Sequence, residues 1–473
     1  MKPITYLAVH LIIAATMSAC TTPVPIAKVP MDVPAGFKEA DQWKAARKDA
    51  ATVPDDWWTL FNDFTLNDLQ QRLLEGNQSL RASAAQVEVA RAAVGGARSA
   101  GSPIVSVTAG STNSVPPGEI TATTANSVAA NASWELDLWG RVAGSISSAE
   151  ARFQATSADL LAARWSIHAL LTQTYFSLRS TEAQALLLER SVTAYQRSLE
   201  LTQNRYTGGI ASAADVAQAT TQLRSTQAQL IELQSSRAQL EHALATLLGE
   251  PGANFSLART GVLPAAPQVP IQLPSDLMQR RPDIAAASAR VAAANSQIGV
   301  AQSAFFPAIT LSASAGFRNA NVFNLLSAPS LFWSLGPALA STIFDGGARK
   351  TNEDSARASA TQATATYRQT VLSALQEVED NLVSTASLEA QAALQNDALN
   401  AAQRNLEITN NLYKAGIVSY LNVVTAQTIA LSSERALLDV RSRRLAAIAV
   451  LLKNLGGRWT STPADWATVK SPG

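Results

Sequence analysis

His168 and His242 are the only imidazoles after residue 20 of this 473-residue chain, and they are where metal or general-base chemistry would have to start. Neither has a second candidate ligand at useful spacing. Glu241-His242 would need another histidine one turn away to form the H-E-x-x-H helix of zinc proteases, and it lacks one. No P-loop, G-x-G-x-x-G turn or G-x-S-x-G nucleophile elbow occurs. Gly346-Gly347 follows a strand-like run, but no phosphate-loop pattern surrounds it. No catalytic constellation remains. The expectation is a protein that is not an enzyme and that holds no metal or diffusible cofactor.

The one residue whose chemistry is indicated is Cys20, the single cysteine. It follows YLAVHLIIAATMSA, a short apolar core ending in small residues, which has the shape of a secretory signal and is too short to span a bilayer. Met17-Ser18-Ala19-Cys20 resembles the lipobox of bacterial lipoproteins. That resemblance implies diacylglyceryl and N-acyl lipid on Cys20 and leaves no free thiol. Thr21 follows the cysteine where aspartate would imply retention at the inner membrane, so passage to the outer membrane is expected. Pro23, Pro25, Pro30 and Pro34 then make a stiff, extended tether.

Charged residues are 15% of the chain, well below the usual quarter or so, and the formal net charge is +1. Such a surface has no electrostatic footprint for nucleic acid. Beyond the signal no apolar run reaches the roughly 18 residues of a transmembrane helix.

What the chain must position is written twice. The segments 80–111 and 284–315 align, with Pro103 over Pro307. ELDLWGR (135–141) falls near TIFDGGAR (342–349), and LATLLGE (244–250) falls on LLKNLGG (451–457). A tandem duplication follows, with a signal at 1–19, a lipidated N-terminus and tether at 20–63, repeats at 64–260 and 261–457, and a tail at 458–473. Each repeat reads as a helix, two strands (103–114 and 125–139, then 307–318 and 331–344) and a long helical hairpin. In SWELDLW, Trp134, Leu136 and Leu138 alternate with Ser133, Glu135 and Asp137. That alternation suits a barrel wall with lipid outside and water inside, and equally an amphipathic strand over a soluble core. Trp134, Trp139, Phe305, Phe306, Phe332 and Trp333 stand near strand ends, where an interfacial girdle would lie.

The helical stretches step by three and four through Val192, Tyr195, Leu199, Thr202 and Tyr206, and again through Leu399, Ala402, Leu406, Thr409 and Tyr413. Leu223, Leu230, Leu233, Leu240, Leu244 and Leu247 continue the seam, and its intruder Arg237 returns as Arg444. Each hairpin breaks at a glycine. Gly208-Gly209-Ile210 and Gly416-Ile417 read as left-handed C-caps, followed by Ser212 and Ser419 as N-caps. Asp215 stands at the capping-box position of the first break, and Asn422 is its weaker equivalent in the second. Ile210 and Ile417 are left at hairpin tips, either to close the seam or to offer a docking surface. Four strands with free edges cannot lie in a bilayer alone; three protomers would close them into a barrel of about 12 strands.

With these pieces in place, WWTLFND (57–63), SWELDLWGR, LPSDLMQRRPDIAAASARV (273–291), FFPAITLSASAGF and IFDGG resemble the TolC-type outer-membrane efflux factors. Their NodT-type lipoprotein subgroup, serving resistance–nodulation–division pumps, is the best match, from Cys20 to about residue 457. The resemblance implies a mixed α and β membrane protein, a homotrimer whose 12-stranded β-barrel in the outer membrane continues into a periplasmic α-helical barrel. It implies partners: a periplasmic adaptor at the hairpin tips, an inner-membrane transporter, and outer-membrane lipid. It places a periplasmic gate after the second tip, where Leu421 matches a family leucine while Thr425 stands in place of the family's aspartate. Asp215 is the nearest carboxylate for a pore role, or purely a cap. The alternative from another class is a non-conducting trimeric coiled-coil lipoprotein.

Overall fold

The duplication is visible in the helix lengths of the computed structural model, whose described residues are 34, 36–39, 53–115, 117–118, 120–269 and 280–456. After a 3-10 turn (Trp57–Phe61), the chain forms α1 (Phe64–Gly76), α2 (Gln78–Ser99), β1 (Ile104–Ser114) and β2 (Thr123–Glu135). It continues through α3 (Arg141–Thr207) and α4 (Ala213–Leu248), then α5 (Pro282–Ser303), β3 (Ala308–Asn319), β4 (Leu331–Ala340), α6 (Ala348–Lys414) and α7 (Tyr420–Leu455). The long helices have 67 residues in each copy and the returning helices 36 in each. No described helix is long and apolar enough to cross a membrane.

Two compact units emerge, and each draws on both copies. Of the described residues, one takes those within 85–158 and 285–370, the other those within 34–84, 159–284 and 371–456.

The first unit holds the sheet, an antiparallel meander in the order β1-β2-β3-β4 that joins the copies through β2 and β3. Its register sets Val105, Val107 and Ala109 against Ala132, Ala130 and Val128. Val128, Ala130, Ala132 and Trp134 in turn face Phe317, Ala315, Ala313 and Leu311. Those meet Leu331, Trp333, Leu335 and Pro337. Opposed residues in an antiparallel pair share a face, so one side of the sheet is apolar across all four strands. Ser106, Asn131, Ser133, Ser312, Ser314 and Ser334 take the other side, where Ser314 and Ser334 are hydrogen-bonded at 2.8 Å. Gly316 lies so close to Val128 and Ala129 of β2 that any side chain would collide with their backbone.

Three expectations need correction here. The second strand of each pair stops early, at Glu135 and Ala340, instead of at 139 and 344. Asp137 is therefore no wall residue: its carboxylate accepts from the N–H of Val142 (3.0 Å) and Ala143 (2.7 Å) and starts α3. Asp345 does the same in copy two, accepting from Gly347 N at 2.9 Å and Arg349 N at 3.1 Å. Orphan N–H groups at a helix start attract a carboxylate more strongly than alternation holds it in a strand. Phe332 lies on the polar face opposite Gly316, with the Arg318 guanidinium 5.0 Å from its ring centre, whereas Trp134 and Trp333 lie on the apolar face. Trp139 instead stacks on Phe306 at 4.9 Å, and its indole N–H donates to Pro307 O at 2.6 Å.

The second unit holds the principal core. Trp57, Leu66, Leu69 and Leu73 pack with Leu171, Phe176, Leu244, Val378, Leu382, Leu451 and Leu455. Asp63 caps α1 through Thr65 N and Leu66 N at 2.9 and 3.1 Å, while its other oxygen accepts from Tyr175 Oη at 2.6 Å. Burial, helped by that bond, pushes the Tyr175 phenol up to about 12. Trp58 stacks on His168 at 4.2 Å, and His168 is bonded through Nδ1 to Gln70. Burial, with Arg164 adding repulsion, pulls the imidazole down to about 3, so it is neutral at physiological pH. At 2% exposure His168 is a residue of the core. Pro282 opens α5 at N1, and Arg281 beside it, buried, reaches Asp283 at 2.6 Å and Glu377 at 3.0 Å.

Candidate functional site: the paired hairpin tips

Both breaks are Schellman turns. In copy one Ile210 N donates to Arg205 O at 2.8 Å and Gly209 N to Tyr206 O at 3.0 Å. In copy two Ile417 N donates to Leu412 O at 3.0 Å and Gly416 N to Tyr413 O at 2.9 Å. Gly209 and Gly416 carry φ of 71° and 77°, which a side chain would strain, whereas Gly208 has no such requirement. The isoleucines after them project outward, Ile210 70% and Ile417 69% exposed.

Beyond the glycines the copies diverge. Ser212 and Asp215 form a complete capping box: Ser212 Oγ accepts from Asp215 N at 3.2 Å, and Asp215 Oδ2 accepts from Ser212 N at 2.9 Å. The Asp215 carboxylate also accepts from Ser212 Oγ at 2.9 Å. Its structural duty is thereby explicit. Ser419 occupies the N-cap position of α7, yet its side chain makes no capping bond, so the expected second cap is positional only.

The second tip is held from outside instead. Tyr413 and Tyr420, edge to face with centroids 5.5 Å apart, are buried with Val423 against Ala219, with Leu199 packed alongside. Ser198 Oγ and Tyr420 Oη are 3.1 Å apart. Arg205 donates to Tyr413 O at 3.0 Å and lays its guanidinium 4.6 Å from the Tyr413 ring centre. Burial raises the Tyr420 phenol above its ordinary value. Tyr420, Ser198 and Arg205 were not among the expected site residues. Arg205 stands where copy two has Leu412, an asymmetry readable in the aligned repeats.

With Tyr420, Val423, Ala426, Gln427 and Ala430 of α7 buried, the side left open carries Leu421, Asn422, Thr425, Thr428 and Ile429. Leu421 is 55% exposed. Thr425, four residues on, turns its hydroxyl back to Leu421 O at 2.9 Å. The stripe is uncharged, and the structure brings Leu421 and Thr425 together on it, while the Asp215 carboxylate lies near enough to Tyr420 to add to the rise of its phenol. Among the described residues no cluster of His, Cys, Asp or Glu is suited to a metal. Cys20 lies outside the described residues.

Comparison with known proteins agrees with this architecture. The chain is 32% identical over 436 residues to the probable efflux pump outer membrane protein TtgC of Pseudomonas putida, covering 90% of each chain. It is 30% identical over 461 residues to outer membrane protein OprJ of Pseudomonas aeruginosa, covering 95% of each. Among solved structures, the outer-membrane channel OprN superposes with a TM-score of 0.85 at 28% identity, over 92% of this chain and 98% of that one. The model of the family described as outer membrane efflux protein matches twice, at residues 69–250 and 273–457, and the chain belongs to that family.

Proposed function

We propose that this outer-membrane efflux protein is the passive exit duct of a tripartite pump, assembled as a homotrimer. The observation that carries the reading is the four-stranded sheet with one continuous apolar face, whose outer strands β1 and β4 each have a single neighbour. Unpaired strand edges are untenable in lipid, and closure by three copies gives a barrel of about 12 strands. The helical hairpins then extend the duct into the periplasm. A periplasmic adaptor engages the tips through Ile210 and Ile417, and an inner-membrane resistance–nodulation–division transporter supplies the energy. Lipid on Cys20 anchors the N-terminus in the outer membrane.

Leu421 narrows the periplasmic entrance. Three copies of the exposed Leu421 side chain close a pore by excluding water, and Thr425 adds no charge to select cations. Conductance of the purified full chain in planar bilayers tests this. Wild-type channels are expected to be mostly shut, and Leu421→Ser to conduct several-fold more. Absence of conductance in both would favour a purely structural coiled coil.

A further inference from the structure

The four strands carry two charged side chains, Glu135 and Arg318, and both lie on the polar face. They stand at opposite ends of the sheet. Glu135 closes β2 just before α3, and its two oxygens accept from Arg141 at 2.7 and 2.6 Å, so its charge is matched on the spot. Arg318 is the last residue but one of β3, beside the connection 320–330, which contains no charged residue. It is exposed, and no carboxylate pairs with it among the described residues. Glu119, the one acidic residue of the β1–β2 connection, lies outside the described residues.

The neighbours of Arg318 fix its place and leave its charge uncovered. It pairs with Ser127 of β2, which pairs in turn with Gly110 of β1, and both are too small to screen a guanidinium. On the other side the Phe332 ring of β4 holds the guanidinium 5.0 Å from its centre. Stacking of this kind orients a guanidinium without cancelling its charge or consuming its N–H donors. Elsewhere on this face the polar groups are neutral and serve each other: Asn131 donates to Thr108 Oγ1 at 3.1 Å, and Ser314 and Ser334 bond at 2.8 Å. A fork of charged donors on an otherwise neutral wall is chemistry for an anion.

We propose that Arg318 is a selectivity residue of the duct, three copies forming a cationic ring near its outer mouth that favours anions, inorganic or carboxylate-bearing, over cations. This rests on the duct reading, in which the polar face lines the lumen and the end of the sheet away from the helices opens outward. Exposed charges act through water over about 10 Å at 0.1 M salt and about 3 Å at 1 M, so the ring governs passing ions at low ionic strength and falls silent at high. The other end of the sheet adds no opposing field, because Arg141 matches Glu135. Leu421 and Thr425 carry no charge to compete with it.

The test measures reversal potentials of the purified full chain in planar bilayers under a potassium chloride gradient, with Leu421→Ser present so that the entrance conducts. This parent is expected to pass chloride over potassium by about fourfold near 0.1 M salt, and the preference to fade near 1 M. Arg318→Gln should abolish the preference, Arg318→Glu should invert it, and Arg318→Lys, which keeps the charge, should retain it. A parent without chloride preference, or one whose preference survives Arg318→Gln and Arg318→Glu, overturns the ring and leaves the duct standing. No conductance from any variant overturns the duct and the ring together. Should the Arg318 variants fail to assemble, the parent's salt dependence decides, and a permeability ratio unchanged between about 0.1 and 1 M overturns the ring.

Discussion

The two hairpins share a length, a Schellman turn and an exposed isoleucine, yet they are stabilised differently. The first closes on itself, with Ser212 and Asp215 satisfying each other's backbone. The second has no capping bond and instead buries Tyr413 and Tyr420 against its twin. At equivalent positions Tyr206 is 49% exposed and Tyr413 only 7%. Duplication supplies two copies of an element, and divergence makes one a support and the other a load. The gate proposed at Leu421 would lie on the supported copy, whose contacts can be released without unfolding the support.

The same contrast recurs away from the tips, and there it should be largest. Glu182 is 1% exposed, while its counterpart Glu389 is 61% exposed. Glu182→Gln should cost about 3–5 kcal/mol by leaving the buried Arg179 without its carboxylate while Arg237 keeps Glu241, and Glu389→Gln at most about 1 kcal/mol. Denaturant melts of the two variants would collapse the distinction if they matched.

Next in size is Tyr420→Ala. Removing a buried aromatic should cost about 3 kcal/mol, felt locally. Hydrogen exchange should quicken around residues 416–424 and stay slow at 209–216. Equal loosening of both tips would mean that they support each other.

A pH effect also separates the copies, since His168 of the first stands where the second has Leu375. The His168 pKa is depressed from 6.5 to about 3, so its contribution is full above pH 6.5 and is lost as pH falls toward 3. Stability should fall by up to about 1.4 kcal/mol per pH unit in that window. His168→Leu should flatten the profile; an unchanged slope between pH 6.5 and 4 would place the titration elsewhere.

The smallest contrast concerns the caps. Asp215→Ala should cost about 1 kcal/mol at the start of α4, and Ser419→Ala less than about 0.5 kcal/mol at the start of α7. A change in ion selectivity on Asp215→Ala would give that carboxylate the pore role that its capping bonds do not require.

Local patterns made much of this readable in advance. The glycine breaks, the capping box and the doubling rest on neighbours within a few residues, where backbone geometry and hydrogen-bond supply leave few options. The alternation of β1 and β3 was equally plain. Partnerships across the chain were not. Trp139 and Asp137 read as strand residues because alternation continues past Glu135, and only the competing demand of α3's free N–H groups shows where the strand stops. Phe332 and Trp333 are indistinguishable by type, and the register opposite Gly316 assigns them to opposite faces.

By itself, then, the sequence determined the repeated helix–strand–strand–hairpin plan, the two tips and the uncharged stripe at Leu421 and Thr425, because each follows from short-range periodicity and backbone sterics. Tertiary structure alone decided that one tip supports the other. Arg205, Ser198 and Ala219 meet Tyr413 and Tyr420 across some two hundred residues, and no local rule couples positions so far apart.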